Sequence, residues 1–146
     1  MIYIGADYAG YKLKEDIKKF LDTKKIGYLD IGTDSTKSKN DFTDFIPPVV
    51  KGVKKSNKNF GILICGTGMG MVIGANRFRK IRAVQAYNTK QAKFSRTHDN
   101  ANILCLAAWE TDFKTAKRII TTWLNTPFKP FARRIRRFKK VDQWPI

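Results

Sequence analysis

Cys65 closes an apolar run and is followed at once by Gly66, Gly68 and Gly70 in the stretch ICGTGMGMVIGANR, residues 64–77. Glycines in such a loop let the backbone come close to a ligand and turn its N–H groups inward. The helix expected to begin near Met71 adds partial positive charge at its N-terminus. These surroundings suit an anion, or negative charge that develops during a reaction. They also favour the thiolate over the thiol, and a thiolate serves as a base as well as a nucleophile. A cysteine at a strand end equally fits a packing role, and residue type alone leaves both readings open. Cys105, between Leu104 and Leu106, reads as core. The loop has no GK[ST] and no GxGxxG follows the first apolar run, so neither a P-loop nor a dinucleotide fold is expected. His98 is the only histidine. Imidazole titrates near ~6.5 and so exchanges protons at neutral pH, although a lone histidine also fits a structural place.

The elements that must hold these residues follow from hydrophobic patterning. Five strand-length apolar runs occur at 2–6, 27–33, 60–67, 81–87 and 102–109. The third and fifth are almost continuously apolar, as strands buried between two helix layers are. Between the runs lie amphipathic patterns. Leu13, Ile17, Phe20 and Leu21 form one stripe, and Phe113, Ala116, Ile120, Trp123 and Leu124 form another, with Thr111 or Asp112 as its N-cap. Pro47 and Pro48 are expected near a helix start, where a missing amide hydrogen costs little. Residues 33–45 read as a polar loop. Strand–helix alternation through the whole chain predicts an α/β fold, a five-stranded parallel sheet with helices on both faces, in one domain spanning residues 1–146. In open sheets of this kind ligands bind beyond the carboxyl ends of the strands, where Cys65 lies.

Bulk properties limit the alternatives. The 146 residues are 42% hydrophobic, enough for one real core. No apolar stretch approaches the roughly 20 residues of a membrane span, and the N-terminus lacks a signal-peptide pattern, so a cytoplasmic protein is expected. Two cysteines without CxxC make no disulfide framework. The net charge of +17 raises the question of nucleic acid. The cationic residues are mostly scattered lysines, as on solvated helix faces, and no zinc-ligand set or RNA-binding motif accompanies them. Only the cluster at 129–140, KPFARRIRRFKK, needs its own account. Ile135 and Phe138 lie at i+4 and i+7 from Phe131, so this segment is expected to form a last helix that docks on its own core, a second subunit or an anionic partner.

Taken in order, IGADYAGYKLK, DIGT, DFTDF, GILICGTGMGMVIGANR, IRAVQAYN, RTHDNANIL and RRIRRFKKV resemble the ribose-5-phosphate isomerase type B family and its relatives, the galactose-6-phosphate isomerase subunits. The resemblance implies a three-layer, Rossmann-like α/β/α fold and a homodimer, or a dimer of dimers, with active sites at the subunit interface. It implies interconversion of an aldose phosphate and a ketose phosphate without metal or organic cofactor. Ribose 5-phosphate and ribulose 5-phosphate are the leading pair, and allose 6-phosphate or galactose 6-phosphate the alternatives. In the branch with a cysteine after the third strand, that cysteine moves the proton between C1 and C2; here it is Cys65. By the same resemblance His98, with Asp7 and Thr67, would open the sugar ring. Gly66, Gly68 and Gly70 would supply oxyanion donors. Arg133 and Arg137 of a partner subunit would grip the phosphate, a bidentate, charge-assisted contact.

The sequence also departs from the family's pattern. Tyr8 stands where a phosphate-binding histidine is usual, Asp99 where an asparagine is, Phe42 where a tyrosine is, and Trp109 where an arginine is. The C-terminal segment around PFARR has one residue more. Tyr8 and Asp99 remain candidate substrate contacts, and Arg134 and Arg136 are candidates to compensate for lost cationic groups. These departures keep a non-catalytic sugar-phosphate sensor among the alternatives. A basic nucleic-acid-binding protein is the rival outside that class, but it gives Cys65 and His98 nothing to do.

Overall fold

The computed structural model describes residues 1–37 and 39–144; Ser38, in the expected polar loop, lies outside them. Each of the five apolar runs supplies a strand: β1 (Ile2–Ala6), β2 (Tyr28–Asp30), β3 (Phe60–Cys65), β4 (Ala83–Gln85) and β5 (Ile103–Ala107). Between and after them run α1 (Tyr11–Thr23), α2 (Phe42–Lys54), α3 (Met69–Ala75), α4 (Thr89–Thr97), α5 (Phe113–Asn125) and α6 (Ala132–Val141). The strands form one parallel sheet in the order β2-β1-β3-β5-β4. β3 and β5 lie inside it and are buried along nearly their whole length, as their continuous apolar runs require.

Two cores flank the sheet. On one side Leu13, Ile17, Phe20 and Leu21 of α1 meet Ala92 of α4, Ile119, Ile120 and Trp123 of α5, and the even-numbered strand residues Ile4, Ile62, Ile64, Leu104 and Leu106. On the other, Ile46, Val49, Val50 and Val53 of α2 and Met71 and Ala75 of α3 cover Leu63, Cys65, Ile103 and Cys105. The period-two alternation of a strand thus divides one apolar run between two helix layers. Among the described residues no helix is long and apolar enough to cross a membrane.

Several details differ from the expectation. Pro47 and Pro48 lie inside α2, because the helix starts five residues earlier, where the Asp41 N–H donates to the Asp44 carboxylate at 3.0 Å. The N–H groups the prolines lack would have bonded the carbonyls of Thr43 and Asp44, and both residues lie exposed, where water can take those carbonyls. α3 begins at Met69 rather than Met71. Asp112 is the N-cap of α5, accepting the Thr115 N–H at 2.7 Å. Phe113 faces outward at 36% exposure and Ile119 occupies the buried face instead.

Candidate active site

β1 leads to β2 on one side of the sheet, and the chain then crosses to place β3 on the other. The topological switch point therefore falls between β1 and β3, at the carboxyl ends where Ala6 and Cys65 finish their strands. The Asp7 N–H donates to the Ile64 carbonyl at 3.3 Å, so Asp7 stands beside the residue that precedes Cys65. The Asp7 carboxylate accepts the N–H groups of Ala9 and Gly10, each at 3.0 Å, which folds the DYAG turn around it. Burial is the largest influence on this carboxyl and raises it above its ordinary value. The Gly10 and Ala9 amides pull the other way, and the charge of Asp41 adds to the rise. Tyr8 projects from the same turn, half exposed.

Cys65 is 6% exposed, and its Sγ accepts the Gly68 N–H at 3.1 Å. Gly68 holds φ at +74°, and a Cβ there would lie 2.5 Å from Gln85 Nε2, so a side chain at this position strains the backbone and displaces the Gln85 amide. Thr67 is exposed at the loop tip, with Oγ1 accepting the Met69 N–H at 3.4 Å. Trp109 lies across Gly66: its N–H donates to the Gly66 carbonyl at 3.0 Å, and a Cβ on Gly66 would strike the indole at 2.6 Å. The ring is nevertheless 67% exposed, a large aromatic face on the loop that follows Cys65. Phe42, first residue of α2, covers Gly70 in the same way. Cys105 is fully buried one strand over and its thiol is pushed far up by burial, which leaves it core.

His98 is not at this edge. α4 leaves the carboxyl end of β4 and carries the chain about 13 Å back along the sheet to the amino end of β5. His98 follows its last residue, exposed and stacked on Phe94 with ring centroids 5.0 Å apart. Asp99 lies exposed beside it. α6 meets the same end. The Lys129 N–H donates to the Thr97 carbonyl at 3.2 Å, and Arg134 Nη1 donates to that carbonyl at 2.8 Å and to the Lys129 carbonyl at 3.1 Å. Arg133, Arg136 and Arg137 are exposed on α6. Arg134 is not a compensating phosphate ligand: it is buried and already committed to two backbone carbonyls and the Phe131 ring.

One chain therefore brings together Asp7, Tyr8, Cys65, Gly66, Thr67, Gly68 and Gly70 at the carboxyl edge. It holds His98, Asp99, Arg133 and Arg137 at the amino edge. One expectation needs correcting at the loop itself. The Gly68 N–H is given to the thiol and the Met69 N–H to Thr67, which leaves fewer loop amides for an oxyanion. Sequence reasoning also missed Gln85, whose Nε2 donates to the Thr67 carbonyl and to the Tyr87 hydroxyl, the latter at 2.9 Å. A polar residue inside the apolar run IRAVQAY was the available signal. Lys14 was missed as well. It is 1% exposed, on the apolar side of α1, and its Nζ reaches Asp30 of the DIGT stretch at 2.6 Å and Glu15 at 3.1 Å.

Fold and site together define a Rossmann-like α/β protein with a cysteine and a glycine loop at its switch point. The model of the ribose/galactose isomerase family matches residues 2–141. A ribose 5-phosphate isomerase from Thermotoga maritima superposes with a TM-score of 0.92 at 41% identity, covering 98% of this chain and 97% of that one. Ribose-5-phosphate isomerase B from Mycoplasma genitalium, solved with bound ribulose-5-phosphate, gives 0.91 at 35% identity, covering 97% of this chain and 93% of that one. The D-erythrulose-4-phosphate isomerase of Pectobacterium atrosepticum is 36% identical over 128 residues, 88% of this chain and 84% of the relative. The chain belongs to the ribose/galactose isomerase family.

Proposed function

We propose that this protein interconverts ribose 5-phosphate and ribulose 5-phosphate, with Cys65 as the group that moves the proton. The observation that carries the proposal is the Cys65 thiol at the β1/β3 switch point, with the Gly68 N–H directed at its sulfur. A thiolate there takes the proton from C2 of the open-chain aldose. The C2 electrons form the C1–C2 double bond of an enediolate, the proton on the C2 oxygen passes to the C1 oxygen, and the Cys65 thiol returns its proton to C1. That delivers the ketose with no net gain or loss of atoms. The enediolate oxygen needs preorganised donors; the Gly66, Thr67 and Gly70 amides are nearest to hand, and losing one such donor typically costs about 10²–10³ in rate.

The placement of His98 and the α6 arginines at the far edge supports a site built by two copies. The thiol edge of one faces the His98 edge of the other. In that arrangement His98 of one chain opens the ring of the sugar held at the partner's carboxyl edge, with Asp7 and Thr67, and Arg133 and Arg137 bind the phosphate. Phosphate gripped at a distance positions C1 and C2 against the sulfur. One domain of residues 1–146 carries both edges. Nucleic acid is not needed to account for the basic helix.

The test is incubation with four-, five- and six-carbon sugar phosphates in deuterated water. Label entering C1 or C2 of the five-carbon pair fastest is the expected result. Label entering only a six- or four-carbon substrate would move the assignment to that relative's chemistry, and no label from any of them would leave a binding protein.

A further inference from the structure

We infer that Gln85 is a positioning residue for the Cys65 thiolate, acting through the peptide that joins Thr67 to Gly68. The inference rests on the reading of Cys65 as the base. Gln85 ends the edge strand β4, and its side chain reaches past the carboxyl end of β5 to the loop that follows β3. There Nε2 donates to the Thr67 carbonyl at 2.5 Å. That carbonyl and the Gly68 N–H belong to one peptide unit, planar and trans, so the two groups point in opposite directions. The N–H end of the unit donates to Cys65 Sγ at 3.1 Å. Fixing the carbonyl end therefore fixes the hydrogen that meets the sulfur.

The peptide needs such an anchor. Gly68 has no side chain and sits at φ +74°, where glycine has several backbone conformations open to it. The orientation of the Gln85 amide is itself set chemically. A carbonyl oxygen only accepts, so the amide atom facing Thr67 has to be the nitrogen. The second hydrogen of Nε2 goes to the Tyr87 hydroxyl at 2.9 Å, which tethers the amide from a second side. Gln85, Tyr87 and the Thr67–Gly68 peptide thus form a relay that ends on the sulfur.

The experiment compares wild type, Gln85→Leu and Tyr87→Phe for alkylation of Cys65 by iodoacetamide at pH 7, followed by mass spectrometry, and for kcat and KM on ribose 5-phosphate. Gln85→Leu is expected to slow alkylation about tenfold and to lower kcat by a similar factor, with KM nearly unchanged, the effect of one lost hydrogen bond. Tyr87→Phe moves both in the same direction by less. Unchanged or faster alkylation in a folded Gln85→Leu protein overturns the proposal, because it shows that the peptide holds its N–H on the sulfur unaided. Should Gln85→Leu fail to fold, Tyr87→Phe decides: slower alkylation supports the relay and an unchanged rate overturns it. Alkylation does not depend on turnover, so a failure of Cys65 as the base, read from an active Cys65→Ala enzyme, is distinguishable from a failure of the relay.

Discussion

Two cysteines of one chain have opposite fates for a reason visible at atomic scale. Cys105 is sealed between Leu104 and Leu106 in the middle of β5, and burial above all keeps it a thiol. Cys65 stands where the strand gives way to a loop, with an N–H aimed at its sulfur. Replacing Cys65 by alanine is expected to abolish isomerisation while leaving the circular dichroism spectrum intact; a normal rate would remove it as the base. Gly68→Ala forces a side chain to φ +74° and against Gln85 Nε2. It is expected to cost about 1–2 kcal/mol in stability from backbone strain, read by denaturant unfolding, and to lower kcat together with it. Asp7 tests the balance between function and stability. Its carboxyl is raised in the folded state, so ionising it opposes folding, and this penalty is complete once the pH exceeds the raised value. Asp7→Asn is therefore expected to unfold at higher denaturant than wild type at pH 7. The advantage should vanish below the ordinary value of 3.8, where wild type is protonated in both states. A less stable variant at pH 7 would contradict this reading.

Among the elements, the loops are what needed the structure. The strands, the stripe on α1 and the fate of Cys105 were legible because apolar period and run length report burial directly. The Asp41–Asp44 start of α2 was hidden behind the more conspicuous Pro47 and Pro48. The Lys14–Asp30 pair was invisible for a different reason: the residues are far apart in sequence, and a lysine on an apolar stripe reads as an edge residue until its partner is placed. Burial raises the Asp30 carboxyl, but hydrogen bonds from Lys14, Lys18 and Gly32 outweigh it and hold it below its ordinary value. Its contribution to stability is thus present above 3.8 and is lost as the pH falls through the depressed folded value. Asp30→Ala, which takes from buried Lys14 its nearest counter-charge, is expected to cost about 3 kcal/mol at pH 7, with the gap closing in acid. Equal stability at neutral pH would show that Glu15 suffices. On α6, Arg134 is a structural anchor and Arg137 is exposed, a distinction the run RRIRR does not display. Arg137→Ala is expected to raise KM for the sugar phosphate with little change in kcat, since a phosphate grip acts on bound substrate and transition state alike. Unchanged constants would take Arg137 out of the proposed site.

At the scale of the molecule, the parallel sheet has two chemically distinct ends. The carboxyl end holds the thiol, the glycine loop and Asp7, and the amino end holds His98 and the exposed α6 arginines. Sequence order could not reveal this separation, because Cys65 and His98 are brought to opposite edges by the direction in which α4 runs. The central claim is that a working site takes its sulfur from one copy and its imidazole from another. The most direct measurement mixes two inactive variants, Cys65→Ala and His98→Asn, under conditions that allow subunits to exchange. A shared site predicts recovery of about a quarter of wild-type activity, since half the dimers are mixed and each mixed dimer holds one intact site of two. A mixture that stays inactive while mass spectrometry shows mixed dimers would contradict the claim.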